Sequence, residues 1–174
     1  LATQHLIGLG YKRIATITGN MTSTVSVDRL AGYRKGLVNA GREYQASLVV
    51  EGDFTEVSGY QAMKRLLTVK PDAVFCASDM MAVGAIRAIL EVGLTIPNDI
   101  ALVGFDDVQL GGLTKIQLTT VRQPIEQFGV KAVDMLIDLI ENGVKPAKRM
   151  YLDTELVVRE SCGARRLAGN QHRE

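Results

Sequence analysis

The sequence lacks an excess of charge of either sign, because 20 lysines and arginines are balanced by 19 aspartates and glutamates. A protein that grips nucleic acid by its phosphates usually carries a clustered basic excess, so we expect no direct contact between this chain and DNA. No apolar run is long enough to span a bilayer, and the first residues carry neither the basic segment nor the cleavage site of a secretion signal. The sequence therefore predicts no membrane partner.

Cysteine and histidine are scarce, with two residues of each. Cys76 lies in an apolar run, which predicts a buried free thiol in a reducing compartment. No set of histidine, cysteine and carboxylate residues has metal-ligand spacing, so we predict no metal. Neither a nucleophile elbow nor a phosphate-binding loop is present, and Gly8 and Gly10 precede a strand where a dinucleotide fingerprint would follow one. We therefore predict no catalytic site and no cofactor.

Short apolar runs alternate with amphipathic segments along the chain. The runs are continuous, as in parallel strands that are covered on both faces, and the alternation predicts an α/β fold with three αβα layers around a parallel sheet. The predicted strands are 13–17, 48–50, 73–77, 100–105, 118–121 and 151–158, and the predicted helices are 26–40, 55–67, 79–92 and 124–142.

Both chain ends bear on the domain organisation. Residues 1–9 have the pattern of a helix already in progress with no capping residue before it, so we interpret the chain as a fragment of a longer protein. The segment 162–174 is largely polar, with a basic middle, and is predicted to lie outside the core. The predicted domain is therefore 1–161.

Polar side chains follow four of the predicted strands. The carboxyl ends of parallel strands meet at one edge of a sheet, where open α/β folds bind their ligands. Arginine and carboxylates can each bond two adjacent hydroxyls, and an aromatic ring can stack on a sugar, so this edge suits a polar small molecule. The residues concerned are Arg29, Asp53, Phe54, Ser78, Asp79, Asp106 and Asp107.

Each of these residues also has a purely structural interpretation. Asp79 fits the N-cap of the helix that follows it, and Asp53 and one of the adjacent pair Asp106 and Asp107 fit turn positions. Phe54 fits core packing, and Arg29 fits a surface ion pair. Spacing alone leaves both interpretations open.

Seven motifs in a fixed order carry a specific resemblance, which covers the chain from about residue 1 to residue 161. Together they resemble the C-terminal part of the effector-binding domain in the lactose-repressor (LacI/GalR) family of bacterial transcription regulators. The motifs are HLIGLGYKRIA (5–15), RLAGY (29–33), GDFT (52–55), ASDMMAVG (77–84), PNDIALVGFDD (97–107), LTTVRQP (118–124) and VRES (158–161).

The resemblance implies a helix-turn-helix headpiece, a hinge and a two-lobed sensor that is similar to periplasmic sugar-binding proteins. This chain would hold the C-terminal lobe, and its helix 124–142 would belong to the N-terminal lobe. A sugar or related metabolite would bind between the lobes of a homodimer in the cytoplasm. It would change DNA affinity through a headpiece that is absent from this chain.

The resemblance also implies which residues bind the effector. Arg29 and Asp106 match the effector-binding arginine and aspartate of the family. Phe54 matches a stacking aromatic residue, and Ser78 stands where many members carry asparagine or threonine.

Two further residues, Gln123 and Ile125, lie where the chain would cross between the lobes, and the resemblance places both near the effector. Segments 55–60 and 82–88 match the dimer-forming surface of the family. A substrate-binding protein of a sugar transport system is the alternative of the same fold, and the Arg29 and Asp106 motifs favour the regulator. An α/β enzyme is the third class, which the missing catalytic constellation disfavours.

Overall fold

The computed structural model describes residues 1–109, 113–143 and 150–164. Helices and strands alternate along this part of the chain, with a short 3₁₀ turn at Ala46–Leu48. The helices are α1 (Ala2–Gly8), α2 (Thr24–Asn39), α3 (Glu56–Leu67), α4 (Asp79–Glu91) and α5 (Ile125–Asn142). The strands are β1 (Ile14–Thr18), β2 (Val49–Glu51), β3 (Ala73–Cys76), β4 (Ala101–Asp106), β5 (Thr119–Arg122) and β6 (Glu155–Val157).

The strands form one sheet in the order β2-β1-β3-β4-β5-β6. The first five in this order run parallel, which confirms the predicted α/β class, but β6 runs antiparallel to β5. A parallel neighbour needs a crossover that packs back onto the sheet. Helix α5, which lies between β5 and β6 in the sequence, has no buried residue and so does not cover the sheet as a crossover helix would.

The core has two halves, one on each face of the sheet. On one face, Val74 and Cys76 belong to a cluster with buried side chains of α3 and α4. On the other face, Ala73 and Phe75 belong to a cluster with α1 and α2. Because successive strand residues point to opposite faces, a strand that is covered on both sides must be apolar throughout. The continuous apolar runs of the sequence have this origin.

Helices α3 and α4 pack with their backbones in close contact. A Cβ atom at Gly59 would collide with the backbone of Met81, and one at Gly84 would collide with the backbone of Glu56. Both glycines therefore act through the absence of a side chain, which lets the two helices approach closely enough to seal one face of the sheet.

We predict that Gly84→Ala lowers the free energy of unfolding by about 1–3 kcal/mol or more, because the added methyl group meets backbone atoms that cannot move aside. Gly32→Ala in α2 is the matched control, since that position is exposed and no atom lies near its added Cβ. There we expect a gain of about 0.5–1 kcal/mol from the better helix former. Urea unfolding of both variants measures the difference, and equal effects would contradict the packing argument.

Two capping predictions had different outcomes. Thr55 caps α3 as predicted, with its hydroxyl oxygen accepting a hydrogen bond from Ser58 N. The N-cap prediction for Asp79 is wrong, because Ser78 caps α4 and accepts a hydrogen bond of 3.2 Å from Met81 N. Asp79 is the first residue of the helix, and its side chain turns into the protein interior.

The first residue of the predicted polar tail lies in the core. Cys162 is fully buried, and its Sγ lies 3.3 Å from His5 Nε2 on α1. The residue before it, Ser161, bonds through its backbone oxygen and its hydroxyl to Leu102 of β4. These bonds draw the segment into the core despite its polar composition. Cys76 is a buried free thiol, as predicted, and the rest of the predicted tail, 165–174, lies outside the described residues.

Segment 82–88 offers less surface than the resemblance implied. It is enclosed between α3 and the sheet, and Arg87 is its exposed residue. Helix α5 is the opposite case: it occupies the predicted range, yet none of its residues is buried. Its apolar side chains Ile125 and Phe128 are 66% and 65% exposed. The described lobe therefore leaves the apolar face of this helix uncovered.

Candidate functional site

The carboxyl edge of the sheet brings together side chains from three layers of the fold. Asp106 ends β4, Gln123 follows β5, and Arg29 lies in the second turn of α2. Phe54 follows β2, and Ser78 follows β3. Parallel strands end at one edge, so residues far apart in sequence become neighbours there, as the sequence predicted.

The Asp106 carboxylate is the centre of this group. Its Oδ1 accepts a hydrogen bond of 2.6 Å from Gln123 Nε2 and one of 3.5 Å from Arg29 Nη2. Its second oxygen, Oδ2, accepts no hydrogen bond from the described residues. Burial raises the pKa of Asp106, while Arg29 and Gln123 oppose that rise. The arrangement leaves one carboxylate oxygen available to a ligand.

The Arg29 guanidinium is held from several sides. Its carbon lies 3.8 Å from the ring centroid of Phe105 and 5.9 Å from that of Phe54, and Nη1 donates to the carbonyl oxygen of Ala77. Burial lowers the pKa of Arg29, and the nearby carboxylate of Asp106 counters that effect. Stacking and hydrogen bonding therefore fix the planar group beside the carboxylate with little freedom to move.

Phe54 adopts a left-handed backbone conformation, with φ at 71°. Its ring lies directly over Gly19 at the end of β1, where any larger residue would collide with it. The side chain is half-buried and also contacts the core beside α3 and α4. The core-packing interpretation of Phe54 is therefore confirmed, and its role in stacking on a ligand stays a prediction.

Ser78 lies deeper than the other predicted site residues, with 4% of its surface exposed. Its hydroxyl oxygen is engaged as the cap of α4. The hydroxyl hydrogen is the part of this side chain that remains for a further contact.

A cleft of about 490 Å³ opens beside Arg29. Three predicted site residues line it, namely Arg29, Gln123 and Ile125. The sequence analysis missed several other lining residues. Two of them could have been found from their spacing, because Phe128 follows Ile125 by one helical turn and Phe105 directly precedes Asp106. The further lining residues are Val25, Asp28, Phe105, Pro124, Phe128, Met150, Tyr151, Leu152 and Thr154.

The neighbouring carboxylate, Asp107, connects the turn after β4 to arginines near the ends of β5 and β6. It accepts hydrogen bonds of 2.6 Å from Arg122 Nε, at the end of β5, and of 2.6 Å from Arg159 Nη2, just beyond β6. Burial raises the pKa of Asp107, but the hydrogen bonds from the two arginines outweigh it, so the pKa lies below its ordinary value. Asp107 is therefore a structural anion that sits beside the candidate ligand carboxylate.

A third carboxylate, Asp79, lies beneath these two and is 1% exposed. Its Oδ1 accepts a hydrogen bond of 2.6 Å from the Thr120 hydroxyl, and its Oδ2 accepts one of 3.0 Å from Val108 N. Burial raises the pKa of Asp79 to about 6, and Asp106 and Asp107 add to the rise, whereas the two hydrogen bonds oppose it. Asp79 is thus an ionisable group in the interior of the lobe.

The raised pKa of Asp79 predicts a pH-dependent stability. Between its ordinary value of 3.8 and about 6, the folded chain holds a proton that the unfolded chain has lost. Stability therefore falls as pH rises through this window, by no more than about 3 kcal/mol from this group. We expect Asp79→Asn to remove that slope in urea unfolding measured from pH 4 to pH 7.

The exposed carboxylate of Asp99 provides the control for this measurement. Hydrogen bonds from Thr95 lower the pKa of Asp99, so this group is ionised in both states above about pH 5, and Asp99→Asn should leave the slope between pH 5 and pH 6 unchanged. An Asp79→Asn variant that kept the slope of the parent chain would show that another group titrates there.

Searches for two other kinds of site were negative over the described residues. No group of three or more histidine, cysteine, aspartate or glutamate side chains in these ranges could hold a metal ion. No helix among the same residues has the length and apolarity needed to cross a membrane.

The fold is an α/β lobe with a candidate site at the carboxyl edge of its sheet, and comparisons with known proteins identify its class. The family described as "Periplasmic binding protein-like domain" matches residues 3–162. The chain belongs to this family, within the lactose-repressor group of transcription regulators.

Among curated proteins, the chain is 44% identical over 162 residues to the HTH-type transcriptional regulator CelR of Thermobifida fusca, covering 92% of this chain and 48% of that protein. It is 40% identical over 164 residues to the ribose operon repressor of Escherichia coli K12, covering 93% of this chain and 50% of that protein. The chain thus spans about half the length of these relatives. They are transcription regulators and not enzymes.

Solved structures agree with this assignment. A complex of the transcriptional regulator CelR with cellobiose superposes with a TM-score of 0.87 at 43% identity, over 91% of this chain and 49% of that one. The lac repressor dimer bound to operator and the anti-inducer ONPF gives a TM-score of 0.84 at 34% identity, over 93% and 49%. The fold class and the family that the sequence motifs indicated are confirmed.

Proposed function

We propose that this chain is the effector-binding and dimerisation part of a cytoplasmic transcription regulator. In this proposal, a sugar or related small metabolite binds beside Arg29 and Asp106. Binding then alters the affinity for operator DNA of a helix-turn-helix headpiece that lies outside this chain. The single observation that carries the proposal is the half-buried Asp106 carboxylate, which has a fixed arginine beside it and one oxygen that accepts no hydrogen bond from the described residues.

The chemistry of these groups suits a polyhydroxylated ligand. Asp106 accepts hydrogen bonds, and Arg29 donates them, so that the pair can bind two adjacent hydroxyls of one molecule. The rings of Phe54 and Phe105 flank the guanidinium and offer apolar faces on which a sugar ring can stack. Gln123 and the Ser78 hydroxyl supply further polar contacts.

The position of α5 supports a two-lobed sensor. Gln123, Ile125 and Phe128 lie where the chain leaves the sheet, and all three line the cleft beside Arg29. We propose that the exposed apolar face of α5 packs into an N-terminal lobe and that the ligand lies between the lobes. Effector binding would then shift the population between lobe arrangements that differ in their affinity for the ligand.

A transport binding protein remains the alternative of the same fold. Nothing in the site geometry separates the two classes, since both hold a small molecule at the carboxyl edge of a parallel sheet. The similar proteins, which are transcriptional regulators and repressors, support the regulator.

We predict that Arg29→Ala and Asp106→Ala each weaken effector binding by about 30-fold or more while the fold survives, because each leaves the other charged group half-buried without its partner. The measurement is isothermal titration calorimetry on the complete regulator that carries this chain. Cellobiose, which relative CelR binds in its complex, is the first probe, followed by a panel of uncharged sugars.

Two matched controls keep this experiment specific. Arg34→Ala removes an exposed arginine of the same helix that stacks on Tyr44, and Asp99→Ala removes a carboxylate that bonds Thr95 ahead of β4. Neither residue lines the cleft beside Arg29, and both variants should bind like the parent protein. Unchanged affinity in both site variants would place the effector elsewhere.

The outer surface of α3 and α4 supports dimerisation. Val57 and Leu90 are 59% and 49% exposed, and a groove of about 790 Å³ runs between α4 and residues 113–116. Arg87 rims this surface through an ion pair of 2.8 Å with Glu56. An apolar patch with a charged rim is typical of a protein–protein contact.

We predict that Leu90→Asp shifts the protein from dimer to monomer, because a carboxylate would be desolvated at the interface. Val38→Asp is the control, since Val38 is 67% exposed on α2, on the opposite side of the sheet. Sedimentation velocity measures both variants. A Leu90→Asp protein that remains dimeric over the concentrations at which the parent dimerises would move the interface away from α4.

A further inference from the structure

Two consecutive residues at the centre of the site have an unfavourable backbone conformation. Asp106 and Asp107 have φ values of 118° and 59°, and neither is a glycine. An L-residue with positive φ is uncommon, and such strain persists only where the surrounding structure holds the chain in place. The position of the Asp106 carboxylate therefore depends on whatever holds this left-handed pair.

The side-chain hydrogen bonds of the pair come from long polar side chains, and Asp106 also stands opposite Arg122 in the parallel pairing of β4 with β5. Gln123 and Arg29 bind Asp106, whereas Arg122 and Arg159 bind Asp107. These partners are long side chains on the segments around the cleft. The backbone of the pair is held at its far end in a different way, by the bond from Val108 N to Asp79.

Asp79 is a rigid anchor for that bond. It lies in the first turn of α4, it is 1% exposed, and its other oxygen is fixed by the Thr120 hydroxyl at 2.6 Å. The carboxylate is pressed against Gly104 in the middle of β4, where a Cβ atom would collide with it. It therefore connects α4, β4, β5 and the turn after β4 at one point.

Burying this carboxylate is costly. None of the ion pairs among the described residues includes Asp79, and an interior anion without a paired cation is destabilising. Simple packing would be served better by an apolar residue of similar size. The two hydrogen bonds that Asp79 accepts are what an apolar residue could not provide.

We propose that Asp79 is a positioning residue for effector binding: through Val108 N it holds Asp106 and Asp107 in the left-handed conformation that sets the Asp106 carboxylate beside Arg29 and Gln123. This inference rests on the proposed function of Asp106. Asp79 itself touches no ligand and acts through the backbone of the turn. Its variants should therefore alter binding only as far as they alter the turn.

The first test needs no ligand and uses nuclear magnetic resonance on the 174-residue chain. A positive φ gives a strong cross-peak between the amide proton and the Hα of the same residue, which we expect at Asp106 and Asp107 in the parent chain. In Asp79→Ala the cross-peaks should weaken, and hydrogen exchange of the Val108 amide should accelerate by about tenfold or more. Asp79→Asn should restore both, because its amide can accept from Val108 N and donate to Thr120.

A control variant separates this effect from a general loss of stability. Ile89→Val lies in the same helix with the residue fully buried, and it should destabilise the chain without changing either signal at the turn. If Asp79→Ala leaves the cross-peaks and the Val108 exchange as in Ile89→Val, the turn holds itself and the proposal is overturned.

The second test measures cellobiose and uncharged-sugar affinity in the complete regulator. We expect a loss of about tenfold or more in Asp79→Ala, recovery in Asp79→Asn and no change in Ile89→Val. If Asp106→Asn loses affinity for the sugar and Asp79→Ala does not, the effector site is supported and the role of Asp79 is refuted. Full binding by Asp106→Asn would instead refute the proposed site, and the resonance measurement would still decide whether Asp79 holds the turn.

Discussion

The covering of both faces of the parallel sheet is the constraint on which the rest of this structure depends. Helices α1 and α2 seal one face, and α3 and α4 seal the other, so the strands between them are apolar along their whole length. Polar chemistry can then occur only where the strands end. The close backbone contact at Gly59 and Gly84 strengthens this constraint, because it leaves no room for side chains between α3 and α4. The site is thus displaced to the carboxyl edge.

At that edge, three neighbouring carboxylates differ in their environment, which their partners determine. Asp107 is paired with two arginines, and its pKa lies below its ordinary value despite partial burial. Asp106 accepts hydrogen bonds from Gln123 and, at longer distance, from Arg29, and its second oxygen accepts none from the described residues. Asp79 is buried with two neutral donors, and burial raises its pKa to about 6. The number of arginine partners thus distinguishes the three carboxylates: Asp107 has two and Asp106 has one, whereas Asp79 has none among the described residues.

Sequence reasoning located the fold and the neighbourhood of Arg29 and Asp106, because both follow from where parallel strands end. It failed where a single residue shift or a tertiary contact decided the outcome. Ser78 and Asp79 both fit an N-cap by composition, and only the direction of each side chain shows that Ser78 has that role. Cys162 lies in a polar context, but the bonds of Ser161 to Leu102 bring it inside. Asp106 and Asp107 have positive φ values although neither is a glycine, so nothing in the sequence indicated this backbone strain.

Helix α5 connects the stability of this lobe to its function. A helix whose apolar side chains are exposed gains little from tertiary packing, which provides most of the stability of protein helices. Its first turn, however, borders the same cleft as Arg29, through Ile125 and Phe128. Whatever covers the apolar face of α5 must therefore also approach the ligand cleft. In the two-lobed arrangement proposed above, the packing that stabilises the helix and the closure that completes the site are one event, and a ligand that favours the closed arrangement would stabilise both together.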